Sequence, residues 1–458
     1  MQTHFPSGDG SGSGAGLVLA PFRGVRYDLS RVGGLANVTS PPYDVIGPGA
    51  LERLRAASPY NVVRLILPGD AAGGATDPAD PAGRARAAGA AAAGLLHDWL
   101  ADGALAADDV PALYVYEQRG AGWAQRGLIG LVGVGSAAVH PHEGVMPGPV
   151  AGRRELMKAT RSNLEPILLA YNGGNGTGVT ATGLTDQTAE HGTPLACAVT
   201  DDGVTHRLWA VTDPAAQRAI AADLATRTAL IADGHHRYAA YRELRAEMRG
   251  AGAGDGPWDY GLAFLVDVDA YPLHLGPIHR VLPGLGLAEA ARLAAAAFTV
   301  TELPGDPLDP LALDAALRAL DRAGTWGHAF LLAGPAGERA SRTAGFLLLT
   351  EPDQRQLHAA MPPGASPRWR ALDAAVMREL LLARLWSIRD NERDVQIAHD
   401  AAEAVRLAVD SGGTAVLCNP MAVDTVIELA AHGEQVPRKS TSFGPKPRTG
   451  LVLRTFDR

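Results

Sequence analysis

Short apolar runs bounded by Gly, Pro, Asn or Asp recur along the chain, separated by stretches with apolar residues at every third or fourth position. The first pattern predicts buried strands and the second amphipathic helices. LVLAPFRGVRYD (17–28) reads as a strand and turn, VTSPPYDVIGPG (38–49) as a Pro/Gly-rich loop, 50–57 as a short helix and NVVRLILP (61–68) as a strand. A Gly/Asp/Pro loop over 69–83 precedes an Ala-rich helix over 82–101, with a stop expected at Gly103. ALYVYEQ (112–118) and RGLIGLVGVGS (126–136) predict a hairpin, RRELMKATRSN (153–163) has helical spacing, and Pro166 opens the strand PILLAY. Residues 172–196 read as a Gly- and Thr-rich loop with short strands. HRLWAVTD (206–213) leads into a helix, the strand TALIAD, a second helix to about Arg249, and the buried strand YGLAFLVDVDA (260–270). From about residue 285 the pattern runs helix, strand, helix, then the strands HAFLLAG and GFLLLT, and helices at 371–385 and 398–410. The strand AVLCNP (415–420), a helix at 421–432, a polar loop and a final strand close the chain. No internal repeat has a fixed period, and strands and helices mix without strict alternation. That predicts an α+β fold rather than a doubly wound parallel sheet.

Composition narrows the class. With 458 residues, 47% of them hydrophobic, the chain can build a substantial core, and the length suggests two or three domains. Mean hydropathy is near zero, and no apolar run approaches the ~20 residues of a membrane span. The opening MQTHFPSGDGSGSGAG lacks the basic and apolar regions of a secretory leader and is expected to form a disordered tail over 1–16. Two cysteines far apart, Cys197 and Cys418, exclude a disulfide scaffold or a cysteine-rich zinc site and favour a reducing cytoplasm. A net charge of -8 argues against nucleic acid as a partner. Of the 41 Lys and Arg residues only Lys158, Lys439 and Lys446 are lysines. Where this chain wants a generic cation it writes Arg, so a retained Lys is suspected of needing a compact ammonium.

Four segments could carry chemistry. In IADGHHRYAAYRE (231–243) a strand reaches Asp233-Gly234 and a helix opens with His235, His236 and Arg237. Adjacent helical side chains point about 100° apart, so the two histidines do not converge on one ion. Asp233 and one histidine, completed by Glu143, His140 or His142, would still make a metal site. A phosphate grip fits better: Gly234 lets backbone N–H groups at the helix start face an anion, and Arg237 adds a guanidinium fork. Asp233 would then cap the helix or hold the magnesium of a nucleotide. A capped helix with solvated charges is the bland alternative. HPHEGVMPGPVAGRRELMKATRSN (140–163) sets Glu143 ahead of a cationic helix, and SPPYDV (40–45) sets Asp44 in a stiff loop; either carboxylate could be a general base. RKSTSFGPKPRTGL (438–451) makes a rigid polar loop that could close over a phosphate with Lys439, Ser440, Thr441 and Lys446. No Walker A loop is present, and GGNGTG (173–178) does not match a Rossmann fingerprint. No S-x-x-K accompanies Arg448-Thr449-Gly450, which removes a penicillin-binding reading.

Together, IADGHHRYAAYRELR, PPYDVI, HEG…NLEPILLAY and PRKSTSFGPKPRTGL resemble the domain-of-unknown-function family numbered 1015, over about residues 17–456. DGHHR at a strand-to-helix turn is similar to the phosphate-binding turn of the ParB N-terminal and sulfiredoxin superfamily, and to that of kinases acting on free L-serine. The resemblance implies a ParB/sulfiredoxin-like core with insertions over 17–300, and a C-terminal α/β portion over 301–458 whose last loop returns to the site. It further implies a cytoplasmic enzyme that transfers phosphate from ATP or ADP with magnesium to a small hydroxylated metabolite, serine among the candidates. Asp233, Gly234, His235, His236 and Arg237 would cradle the phosphates, Glu143 or Asp44 would orient the accepting hydroxyl, and Lys439 and Lys446 would balance charge. The rival readings are a nucleotide-binding switch or NTP hydrolase of ParB type, and a metal-dependent hydrolase. Relatives usually carry an acidic residue where Gly152 stands and an aromatic one where Ser442 stands.

Overall fold

The computed structural model describes residues 16–69, 80–174, 180–335, 345–391 and 393–457. Residues 1–15 of the expected tail, most of the 69–83 loop and most of GGNGTG lie outside them. The described chain is α+β and divides into two compact units. One holds the described residues of Met1–Pro141, Val145–Leu273 and Pro445–Arg458, the other His142–Gly144 and His274–Gly444. Among the described residues no helix is long and apolar enough to cross a membrane.

The first unit is built on a mixed sheet of β1 (Leu19–Ala20), β2 (Leu113–Gly120), β3 (Trp123–Gly133), β4 (Val139–His140), β5 (Ile167–Tyr171), β6 (Ala196–Val199), β7 (Thr205–Val211), β8 (Ala229–Asp233) and β9 (Tyr260–Asp267). Their order is β4-β8-β5-β9-β3-β2-β7-β6, with β1 also on β3. β4 runs parallel to β8, and β5 parallel to β9; the remaining pairs are antiparallel. The predicted hairpin is β2–β3. On one face Leu113, Val115, Leu128, Ile167, Leu169 and Leu265 join Ile220, Leu224 and Tyr241 in the core. Tyr114 and Tyr116, which alternation sends to the other face, are also buried, so the middle of this sheet is covered on both sides.

The longest helices of this unit among the described residues are α1 (Pro81–Ala101), α2 (Pro147–Thr160), α3 (Ala181–His191), α4 (Pro214–Leu224) and α5 (His235–Gly250). α2 packs against both α1 and α5. Gly89 permits the first contact, since a Cβ there would lie 3.1 Å from that of Ala159.

Three expectations are corrected here. NVVRLILP holds a helical turn, Val63–Ile66, rather than a strand. Asn61 dictates it: its Oδ1 accepts from the Val63 N–H, and its Nδ2 donates to the carbonyls of Asn37 and Thr39. Val62, Val63, Leu65 and Ile66 are all buried, and a run apolar on every side has no period to separate strand from helix. The supposed loop 172–196 contains α3, capped by the Thr180 side chain and anchored by buried Ala181 and Thr185. In the predicted helix 371–385, the segment Met377–Leu385 is wound as a π-helix.

The last residues complete the first unit. Thr449 bridges Ser40, Leu453 bridges Val25, and Arg454–Thr455 pairs with Ser162–Asn163. Arg454 is buried and donates to Asn163 Oδ1 and to the carbonyls of Tyr260 and Pro257.

The second unit has an antiparallel sheet of β10 (His279–Leu282), β11 (Thr299–Leu303), β12 (Phe330–Ala333), β13 (Phe346–Thr350), β14 (Gln396–Ala398) and β15 (Thr414–Cys418), ordered β11-β13-β12-β15-β10-β14. Alternate residues feed two cores: Phe330, Leu332, Leu349 and Val416 enter one; Leu331, Ala333, Leu348 and Leu417 enter the other. α6 (Leu287–Ala294) covers the first core; α7 (Pro310–Gly324) and α8 (Ala401–Ser411) cover the second. α9 (Val423–Ala431) follows β15.

Each unit buries a histidine in its sheet. His206 on β7 has Nδ1 2.8 Å from Tyr116 Oη and Nε2 3.2 Å from Thr200 Oγ1. His279 on β10 accepts from the Cys418 N–H through Nδ1 at 3.2 Å. Burial pushes both imidazoles down to about 4. An unfolded histidine titrates near ~6.5, so between these values the unfolded chain binds more protons. The histidine contribution is therefore complete above pH ~6.5 and is lost as the pH falls toward 4. His206→Gln should flatten that decline, sparing roughly 2 kcal/mol of the loss between pH 7 and 4.5. Urea unfolding at both pH values checks this, and equal slopes for variant and parent would refute it.

Candidate active site

The site begins where β8 ends. Register between β8 and β5 shifts between Ile231 and Asp233, a bulge of the kind that re-aims a side chain. Gly234 follows with φ 94° and ψ 29°, and a Cβ there would lie 2.8 Å from Ile167 Cγ2. Left-handed geometry and lack of space both demand glycine. Gly234 occupies the N-cap position of α5, and no side-chain hydrogen bond caps the helix. Asp233, expected as a cap or magnesium ligand, turns to cations instead.

Its Oδ2 accepts from Arg237 Nη2 at 2.5 Å, and its Oδ1 lies 2.7 Å from Lys446 Nζ. The same ammonium donates to Asp44 Oδ2 at 2.6 Å. One lysine thus holds two carboxylates distant in sequence. Burial alone would lower the Lys446 pKa, but Asp233 and Asp44 outweigh it and hold it above the ordinary lysine value. Arg237 is 3% exposed, and its Nη1 donates to the Pro166 carbonyl at 2.5 Å. It is a scaffold for Asp233 here, where sequence suggested a phosphate grip.

A second layer supports this cluster. Glu165 is buried, accepts from the Tyr43 N–H at 3.2 Å and lies 3.5 Å from Arg153 Nη1. Burial raises its pKa against the opposing pull of Arg237 and Arg153. The Tyr43 ring lies beneath the guanidinium of Arg153, 4.3 Å away, and 5.9 Å from that of Arg237. Burial pushes the Tyr43 phenol up to about 12, so it stays protonated. Three carboxylates and three cations balance within this group. Tyr43, Arg153 and Glu165 were not assigned a role from sequence. Glu165 carried a signal: an acid directly before a Pro-led, wholly apolar strand has little access to water.

The two histidines separate as helical geometry requires. His235 is buried at the helix start, whereas His236 Nε2 accepts from the Met146 N–H at 3.1 Å, ahead of α2. Among the described residues no group of three or more His, Cys, Asp or Glu is placed to hold a metal ion. With both Asp233 oxygens already on cations, the cluster does not fit a resident magnesium either.

Glu143, Ser440 and Thr441 meet in the second unit. Glu143 Oε1 accepts from the N–H groups of Ser440 and Thr441, each at 3.2 Å, and from Thr441 Oγ1 at 2.6 Å. His142 Nε2 lies 2.9 Å from the same hydroxyl. Successive backbone N–H groups form an anion-binding nest, and here a carboxylate of the chain fills it. Lys439 precedes this nest with φ 51°.

Residues 19–375 match the family described as "Protein of unknown function (DUF1015)", and the chain belongs to it. No curated protein matches the chain. Among solved structures it is similar to a free serine kinase in complex with AMP, with TM-score 0.30 and 16% identity over 67% of this chain and 84% of that chain. A conserved hypothetical protein from Pyrococcus furiosus gives TM-score 0.33 and 14% identity over 70% and 93%. SbnI with C-terminal truncation from Staphylococcus aureus gives 0.34 and 11% over 71% and 87%. These likenesses are distant, and the roles of the residues rest on the geometry above.

Lys446→Met tests the cluster. It leaves Asp44 and Asp233 together with one cation fewer, at an expected cost of about 3 kcal/mol at pH 8. One carboxylate then has a folded pKa above its unfolded value, so part of the loss should return as the pH is lowered to 5. Urea unfolding at the two pH values reads this out; a variant as stable as the parent at pH 8 contradicts the shared-ammonium arrangement.

Proposed function

We propose that the chain is a nucleotide-dependent phosphotransferase acting on a small hydroxylated metabolite. The observation that carries the reading is Lys446, whose ammonium is shared by Asp44 and Asp233 beside a helix start that no side chain caps. The first turn of α5 offers backbone N–H groups and the positive end of the helix dipole to the phosphates of ATP or ADP. A phosphate arriving there competes with the carboxylates for Lys446. As the ammonium turns to the phosphate, Asp44 is released as a base. It takes the proton of the acceptor hydroxyl while the hydroxyl oxygen bonds to the terminal phosphorus. The bond from that phosphorus to the leaving nucleotide oxygen breaks.

Phosphoryl transfer depends mostly on positioning and charge neutralisation, which a lysine, a helix start and one mobile carboxylate supply. Arg237 acts as a positioning residue through Asp233. Of the two carboxylates expected as bases, Asp44 is favoured because it adjoins Lys446, whereas Glu143 organises residues 440–441. No step is routed through a metal. The ParB/sulfiredoxin-like character of the core remains part of this proposal, as does L-serine, the first acceptor to try on the sequence resemblance to free-serine kinases.

Calorimetry and product detection with ATP and ADP, against a panel of amino acids and small alcohols, test the reading. Asp44→Asn, which removes one competitor for Lys446, should bind nucleotide at least as tightly as the parent does and lose turnover by about 100-fold or more. Lys446→Ala should weaken nucleotide affinity about tenfold or more. Full turnover in the first variant removes Asp44 as base, and unchanged affinity in the second removes the site. Tight binding with no product for any acceptor would favour the switch reading.

A further inference from the structure

The second unit contains a cavity of about 470 Å³ that the phosphotransfer reading does not use. Sites for small molecules typically measure about 300–1,000 Å³. Three of its lining residues carry sulfur: Met377, Cys418 and Met421. The whole chain has only 7 methionines and 2 cysteines, so this is a concentration of soft, polarizable groups. Cys418 Sγ lies 3.6 Å from Met377 Sδ, and burial pushes its thiol up to about 12. It is a neutral contact surface, with no nucleophilic thiolate.

The polar lining is sparse and specific. His328 Nδ1 lies 2.6 Å from Asp373 Oδ1. In a neutral imidazole whose Nδ1 proton donates to that carboxylate, Nε2 is an acceptor. Asn419 donates through Nδ2 to the Leu320 carbonyl at 3.2 Å, which leaves its Oδ1 to accept. A Cβ on Gly324 would come 2.2 Å from that Nδ2, so glycine makes room for the amide. The other charges, Arg368 and Glu428, pair at 3.0 Å and are each 55% exposed. Against Asp373 and Glu428 stands one guanidinium, so the lining has no surplus cation for a phosphate or carboxylate.

We propose that this cavity binds an uncharged planar heteroaromatic ligand, of the nucleoside class and without phosphates. The flat ring packs against the thioethers of Met377 and Met421, a favourable sulfur–aromatic contact. Ring or exocyclic N–H groups donate to His328 Nε2 and Asn419 Oδ1. The assignment is independent of the phosphotransfer proposal, because none of the groups it uses, Met377, Met421, His328 and Asn419, has a part in that proposal.

The test uses the full chain labelled with ¹³C at the methionine methyls, titrated with adenosine, guanosine, cytidine and uridine, and separately with inorganic phosphate and AMP. At least one nucleoside should shift the Met377 and Met421 methyls through its ring current while Met146 stays still. Asn419→Leu should weaken that nucleoside about tenfold or more. Thr425→Trp, which fills the cavity, should abolish the shifts with the circular dichroism spectrum unchanged. If none of the nucleosides moves either methyl, the proposal is wrong. It is equally overturned if phosphate or AMP moves them at lower concentration than the nucleosides, or if both variants respond as the parent does.

Discussion

The candidate active site depends on one ammonium held between two carboxylates. Asp44 sits in the 3-10 turn Tyr43–Val45 that follows two prolines, Asp233 at the end of β8, and Lys446 in the closing segment of the chain. Coulomb attraction in a nearly buried setting closes these distant segments on each other far more strongly than a surface pair would. Such a cluster is poor value as a stabiliser, because desolvating each ion offsets most of the attraction. An apolar trio could hold the three segments as well. The proposed function gives these charges a reason to be there, as groups that exchange partners with an incoming ionic ligand.

That view gives Arg237 and Gly234 different work from the one their sequence suggests. Gly-x-x-Arg at a helix start looks like a direct phosphate clamp. In the folded chain the guanidinium is buried, bridging Asp233 and the Pro166 carbonyl, with the Tyr43 ring nearby. It fixes the direction of Asp233 and so the place of Lys446. Gly234 leaves the first turn of α5 without a side-chain cap, which is what an anion approaching the backbone requires. Glu165 and Arg153 extend the alternation of charge one step deeper, so that no ion in the group is left without a counter-ion.

Much of the fold was legible because its strands are short, apolar and punctuated. The hairpin β2–β3, the strand ending at Asp233 and the helix after it follow from pattern alone. NVVRLILP was illegible because burial on all sides erases periodicity, and a single side chain, Asn61, tipped it into a turn. α3 was hidden by glycines and threonines that look like loop, although Thr180 supplies an ordinary N-cap. Within the site, DGHHR, Asp44 and Lys446 stood out as residue types in unusual places. What no linear pattern could give is which carboxylate meets which cation: Lys446 and Asp44 are 402 positions apart.

The scarcity of lysine makes physical sense at one of its three positions. Lys158 pairs with Glu247 on the surface, where an arginine would serve equally. At position 446 the cation must fit between Asp44 and Asp233 with 12% of its side chain exposed. An ammonium is a compact charge whose three donors can be shared between carboxylates approaching from different sides. A guanidinium is a planar fork suited to grasping one carboxylate bidentately, and it needs more room. An ammonium also rotates and reaches on a flexible stem, which is the freedom that the proposed exchange of Asp44 for a phosphate calls for. Of the three residues that this chain keeps as Lys, Lys446 is the one set between two carboxylates, where a compact charge fits.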